Sequence, residues 1–216
     1  MRILILGGAG FIGVHLARSL VEDGHQVTVV DDFSRGPRDL ALMNLGVEAV
    51  WADLTRRYEV SWGEGWDDIY VLAAVVGVPN VERDPWRTVV VNAQIALNAG
   101  HWFRASDARV FFASTSEAYA GTDVPIPTPE DVPVAIRDVT EPRAAYAASK
   151  ILGEAAMLTC GARVTVGRFH NIYGPEGSWT GGREKAPAAL CRKVAEAVAN
   201  GTDRIDVWGD GKAQRS

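Results

Sequence analysis

Hydrophobic and polar positions along the chain follow two alternating periods. Residues 3–6 form an unbroken apolar run ahead of a glycine cluster, which predicts a strand buried on both faces. Residues 11–23 carry apolar side chains at helical spacing, and Gly24 stands where such a helix stops. Residues 26–30 are β-branched and read as a second strand, ended by Asp31 and Asp32. Strand, helix and strand within about 30 residues make a βαβ unit. The rhythm continues with a helix at 38–45, strands at 47–51 and 68–73, a helix at 88–105, a strand at 110–113, a helix at 144–159 and a strand at 164–168. This alternation predicts an α/β fold of the Rossmann type, a doubly wound parallel sheet with helices on both faces. Residues 121–143, rich in proline and acids, read as an irregular surface loop. Residues 174–185, rich in glycine and polar residues, read as a mobile loop over a site.

Composition narrows the class. The chain has 216 residues, 47% of them hydrophobic and 23% charged, which suits a globular protein with a sizeable core. The net charge is -5 and the basic residues are scattered, so no nucleic-acid partner is expected. Cys160 and Cys191 lack metal-ligand spacing and read as reduced thiols, with no metal site expected. The start MRILILGG has too short an apolar run for a signal peptide, and a membrane span needs about 20 apolar residues. The expectation is a cytoplasmic protein with no membrane partner.

Candidate chemistry begins at Gly7-Gly8-Ala9-Gly10-Phe11-Ile12-Gly13, where a strand feeds a glycine turn and then a helix. Such a turn aims backbone N–H groups and the positive end of the helix at one point, which suits a pyrophosphate. Gly7 allows the tight turn, Gly10 the approach of phosphates and Gly13 close helix packing. Asp31 lies about 20 residues further on, placed to accept hydrogen bonds from ribose hydroxyls. A carboxylate there repels a 2′-phosphate, so the expected cofactor is NAD. Arg35 is the feature that favours NADP instead, and a bare strand ending is the other reading of Asp31 and Asp32. Asp53 and Leu54 follow the third strand and are placed to meet the adenine.

Tyr146-Ala147-Ala148-Ser149-Lys150 sets a phenol and an ammonium four residues apart, on one helical face. A lysine charge beside the phenol is expected to lower its pKa and let it take a proton from a substrate hydroxyl. Thr115, in the run from Ser114 to Tyr119 at the end of a strand, is placed to hydrogen-bond the reacting hydroxyl. Glu117, in the same run, offers a carboxylate that can move a proton on carbon next to a ketone; its other reading is a solvated loop acid.

These residues resemble the extended short-chain dehydrogenase/reductase family, and within it the nucleotide-sugar epimerases and dehydratases. The resemblance runs through the GGAGFIG turn, Asp31, Leu72-Ala73-Ala74, Val78-Pro79, Asp84-Pro85, Asn92, the run from Ser114 to Tyr119, YAASK and the string RFHNIYGP from Arg168 to Pro175. It implies an NAD recycled within each turnover, with Leu72, Ala73, Ala74 and Asn92 at the cofactor. It also implies Thr115, Tyr146 and Lys150 as the hydride-transfer triad, and Val78, Ser116 and Asn171 at the sugar nucleotide. Arg215 is implied to grip the diphosphate or act beside the sugar, and a homodimer is implied.

The segments 170–193 and 207–216 look like GDP-mannose 3,5-epimerases, in which a cysteine and a lysine exchange protons on opposite ring faces. Lys185 matches that lysine, while Glu117 stands at the cysteine position. The string Thr115-Ser116-Glu117 instead resembles UDP-glucuronate decarboxylases, and Ser116 replaces an aspartate found in 4,6-dehydratases. The expected function is a nucleotide-sugar epimerase working through a transient 4-keto sugar, with Glu117 and Lys185 moving protons at C5 or C3. The alternatives are a decarboxylase, a dehydratase or a non-catalytic nucleotide-sensing regulator. Residues 1–168 are expected to form the NAD-binding domain. Residues 169–216 are expected to begin a small sugar-nucleotide domain that reads as truncated.

Overall fold

The computed structural model describes residues 1–35, 42, 44–57, 64–181, 184–207 and 209–210. Among these residues are six strands: β1 (Arg2–Leu6), β2 (Gln26–Asp31), β3 (Glu48–Trp51), β4 (Asp68–Val71), β5 (Arg109–Thr115) and β6 (Arg163–Phe169). The described helices are α1 (Phe11–Glu22), α2 (Val78–Arg83), α3 (Pro85–Phe103), α4 (Ala144–Thr159) and α5 (Ala186–Ala199), with a 3₁₀ turn at Ser116–Tyr119. All the strand pairings are parallel, in the order β3-β2-β1-β4-β5-β6. The chain therefore reverses its direction of winding between β1 and β4, and ligands of open α/β sheets bind beyond the strand ends at such a point.

The period of two in β1 divides the core. Ile3 and Ile5 face Val14 and Ala17 of α1 together with Val27 and Val29 of β2. Leu4 and Leu6 face the opposite layer, where Ile95, Ala96, Ala99 and Phe103 of α3 meet Met157 of α4. The four apolar side chains of β1 are fully buried, each contributing roughly 1.5–3 kcal/mol by leaving water. A continuous apolar run is thus what a strand with helices on both sides requires.

Several boundaries differ from the sequence expectation, for local reasons. β2 continues through Asp31, because Asp31 pairs with Trp51 of β3. β4 ends at Val71, since the N–H groups of Leu72 and Ala73 both turn back to the Leu6 carbonyl at 2.8 and 2.9 Å. α3 starts earlier than expected because Asp84 caps it, its Oδ1 accepting the Arg87 N–H at 2.8 Å. β5 extends to Thr115 through pairing with Phe169 of β6. The 3₁₀ turn, α2 and α5 were not anticipated. Most of the helix expected at 38–45 lies outside the described residues. Within 121–143 the structure has no helix or strand, as expected for an irregular segment.

Candidate active site

The glycine turn sits beyond β1, at the switch point. Gly7 has φ +84°, and a Cβ there would lie 2.5 Å from the Ala73 nitrogen. A Cβ on Gly13 would lie 2.5 Å from the Gly8 Cα, so α1 approaches the turn as closely as backbone allows. Gly10 is different: its Cβ would meet only the Gly7 carbonyl, at 3.2 Å. Gly10 caps α1 with no side-chain hydrogen bond, and no acid occupies the first turn with Phe11, Ile12 and Gly13. The positive end of α1 is left for an anion.

At the end of β2 the Asp31 carboxylate accepts the Ala9 N–H at 3.0 Å and the Phe33 N–H at 2.9 Å. Burial raises its pKa, with the Asp32 charge adding to this against those two backbone bonds. Asp32 itself is exposed and caps the Ser34 N–H at 3.0 Å. Asp53 is held by the Thr55 hydroxyl at 2.7 Å, which lowers its pKa, and Leu54 is buried. A glycine turn that a Cβ would fill, an open helix N-terminus and a carboxylate beside them fit a dinucleotide.

The second half of the site lies at the end of β5. Tyr146 and Lys150 share a face of α4, and the Thr115 hydroxyl acts to lower the pKa of the Tyr146 phenol. Thr115 Oγ1 also accepts the Glu117 N–H at 3.2 Å, which fixes the 3₁₀ turn. Glu117 pairs with Arg143 at 3.0 Å. Burial, reinforced by the Glu117 charge and opposed by Thr115, pushes the Tyr146 phenol up to about 12. The sequence expectation had Lys150 pulling that phenol down. Instead Lys150 is buried, its Nζ donates to the Ala113 carbonyl at 2.7 Å, and burial brings its own pKa down to about 8. The phenol of the free protein is therefore neutral, and the ammonium braces α4 against β5.

One helical turn beyond Lys150, Glu154 closes a buried polar network that sequence reasoning missed. It accepts the Ser114 hydroxyl and binds Arg168 of β6 through Nη2 at 2.7 Å and Nε at 2.9 Å. Arg168 also reaches the Tyr119 hydroxyl at 2.9 Å. Burial disfavours the Glu154 charge, but the bonds from Arg168 and Ser114 outweigh it and hold the carboxyl below its usual range. The i, i+4, i+8 spacing of Tyr146, Lys150 and Glu154 was the available signal.

The remaining candidates divide into supports and outliers. Asn92 is buried; its Oδ1 accepts the Val75 N–H at 2.7 Å and its Nδ2 donates to Ser149 Oγ at 3.1 Å, so it ties the segment after β4 to α4. Leu72, Ala73 and Ala74 are half-buried in that segment, with Ala73 against Gly7. Ser116 opens the 3₁₀ turn, and Val78 opens α2 and is exposed. Asn171 is exposed after β6. Lys185 is exposed at the N-cap of α5, with no hydrogen bond to the Tyr146 group among the described residues. Arg215 lies outside the described residues. The expected loop at 174–185 begins as a strap on α1: His15 Nε2 contacts the Pro175 carbonyl at 2.8 Å, and Arg18 pairs with Glu176 at 3.1 Å.

Residues 3–216 match the model of the NAD dependent epimerase/dehydratase family. Among curated relatives, GDP-mannose 3,5-epimerase 1 of Oryza sativa subsp. japonica is 32% identical over 229 residues, covering 100% of this chain and 57% of that protein. UDP-glucuronic acid decarboxylase 1 of Xenopus tropicalis is 32% identical over 222 residues, covering 100% of this chain and 50% of that protein. A crystal structure of a UDP-galactose 4-epimerase superposes with TM-score 0.72 at 31% identity, covering 93% of this chain and 64% of that one. The chain thus spans about half the length of the curated relatives it matches.

Proposed function

The chain belongs to the NAD dependent epimerase/dehydratase family, and on that premise we propose that it epimerises a nucleotide-activated sugar through a transient 4-keto sugar. The observation that carries the reading is the convergence of the Tyr146 phenol, the Thr115 hydroxyl and the Glu117 carboxylate at the end of β5. NAD, when bound, supplies the acceptor for the hydride of the sugar C4 and later returns it. Gly7, Gly10, Phe11, Ile12 and Gly13 would hold its diphosphate, Asp31 and Asp32 its ribose, and Asp53 and Leu54 its adenine.

Tyr146 then takes the proton of the sugar O4, with Thr115 hydrogen-bonded to the same oxygen. A phenol near 12 is protonated at neutral pH, so Tyr146 accepts that proton only where added positive charge lowers its pKa, a charge that the nicotinamide of bound NAD would supply. The 4-ketone makes the hydrogens at C3 and C5 acidic. Glu117 removes one of them, and Lys185 is the candidate to return a proton to the opposite face. Val78, Ser116, Asn171 and Arg215 are the candidate sugar-nucleotide contacts.

Decarboxylation is the second reading, favoured by the UDP-glucuronic acid decarboxylase relative, which shares the epimerase's 32% identity to this chain. Incubation with GDP-mannose, UDP-glucuronate and UDP-galactose in D₂O, followed by NMR, separates the two. Deuterium at C3 or C5 with inverted configuration supports the epimerase; release of carbon dioxide from the uronate overturns it. Tyr146→Phe should lower turnover by about 10²–10⁴.

The same reading extends to assembly and place. Trp86, Val90 and Leu97 form an exposed apolar stripe along α3, and Leu152 is exposed on the neighbouring α4; a second copy packing there would make the expected homodimer. Among the described residues no helix is long and apolar enough to cross a membrane, and a cytoplasmic location is part of the proposal. Residues 169–216 are taken as the start of the sugar-nucleotide domain. In keeping with this, α5 has no buried residue and exposes Leu190, Val194 and Val198.

A further inference from the structure

We infer that Arg143 is a positioning residue for the acid–base pair: it holds the Glu117 carboxylate beside the Tyr146 phenol and offsets its charge there. Arg143 occupies the N-cap of α4, one turn before Tyr146, whose N–H donates to the Arg143 carbonyl at 3.1 Å. A cation at a helix N-terminus is opposed by the helix dipole, so helix stability does not account for arginine there. Its guanidinium instead reaches across 26 residues of sequence to Glu117, with Nη2 3.0 Å from Oε1. Glu117 is two-thirds covered, and Arg143 is about half-exposed on the outer side of the pair.

The arrangement answers an electrostatic conflict inside the site. Glu117 has to be ionised to act as a base, yet a negative charge beside Tyr146 resists formation of a phenolate. Among the described residues, the groups that act on the phenol are Glu117 from the 3₁₀ turn and the Thr115 hydroxyl from β5. Lys150, one turn further along α4, points at the Ala113 carbonyl and lies over the Phe112 ring at 5.0 Å. Among the described residues the cation that answers Glu117 is therefore Arg143, acting on the phenol through the carboxylate. The inference rests on the reading of Tyr146 as proton acceptor.

The test is a titration of Tyr146 in the whole 216-residue chain. Uniform 3,5-difluorotyrosine labelling brings the phenols into an accessible pH range, ¹⁹F NMR follows them, and Tyr146→Phe assigns the resonance. Arg143→Ala should raise the Tyr146 midpoint by about half a pH unit, a partly exposed pair being screened by solvent. Arg143→Lys should restore it, and Glu117→Gln should lower it. On the Glu117→Gln background, removal of Arg143 should move the midpoint by less than half as much. Resonances of the other tyrosines at their wild-type positions establish folding, and Arg143→Gln replaces the alanine variant if that one fails to fold.

An unmoved midpoint in Arg143→Ala, or an undiminished shift on the Glu117→Gln background, overturns the inference. The titration needs no sugar. Lack of turnover on any nucleotide sugar counts against the epimerase reading alone, and an unmoved midpoint counts against Arg143 alone.

Discussion

Glu154 on α4 and Arg168 on β6 form a forked ion pair, with Nη2 2.7 Å from Oε2 and Nε 2.9 Å from Oε1, and the carboxylate is almost completely buried. Arg168 lies opposite Ser114 in the β5–β6 register, and Ser114 donates to the same carboxylate. Breaking one side of a buried pair leaves an uncompensated charge. Arg168→Met should therefore lower the unfolding free energy by about 3–5 kcal/mol, while Arg168→Met combined with Glu154→Gln should recover part of that loss. Urea denaturation measures both; a loss below about 1 kcal/mol, the range of exposed pairs, would show that the pair is solvated.

The glycines of the turn should separate folding from cofactor binding. In Gly13→Ala the new methyl meets backbone at 2.5 Å, with no flexible side chain to yield. Overpacking of this kind costs about 1–3 kcal/mol, so the melting temperature should fall along with NAD affinity. Gly10→Ala meets only one carbonyl, at 3.2 Å. It should melt close to wild type yet lose NAD binding in calorimetry, because the methyl occupies the approach to the helix N-terminus.

Stability should pass through a maximum in mild alkali. Burial depresses the Lys150 pKa from 10.5 to about 8, so the unfolded chain binds the extra proton between these values and stability rises with pH across that window. The Tyr146 pKa is raised from 10.0 to about 12, so the unfolded chain releases its proton first and stability falls over that higher range. Chemical denaturation at a series of pH values should show the rise flattened in Lys150→Met and the fall flattened in Tyr146→Phe. A wild-type curve level between pH 8 and 10 would contradict the burial of Lys150.

Asp31→Asn should lower NAD affinity by about ten- to a hundredfold, the loss of one charge-assisted hydrogen bond. NADP should lose less, because the carboxylate that repels its 2′-phosphate is gone. Fluorescence titration with both nucleotides reads the ratio; an unchanged ratio would remove Asp31 from the ribose site.

Much of the fold was legible because its signals are local. Ile3 to Leu6 reads as doubly buried because every residue is apolar, and α1 reads as a helix because Val14 and Ala17 recur at helical spacing before Gly24. The 3₁₀ turn at Ser116–Tyr119 gave no such signal: it exists because Thr115 caps it and Arg168 holds Tyr119 from another strand. The start of α3 was missed although Asp84-Pro85 is a helix-opening pair in the sequence itself.

The chain's own order of residues determined the glycine turn, Asp31 at the end of the second strand, and the shared face of Tyr146 and Lys150, since each follows from spacing along a single strand or helix. Which group stands opposite that face was decided by the fold. Arg143 meets Glu117 across 26 residues, Ser114 meets Glu154 across 40 and Asn92 meets Ser149 across 57. A helical period says which side chains point together; the parallel register of β5 with β6, and the seating of α4 on them, says what they point at. That is why spacing alone predicted a lysine-activated phenol, while burial and the facing carboxylate made Tyr146 a reluctant acid in the free protein.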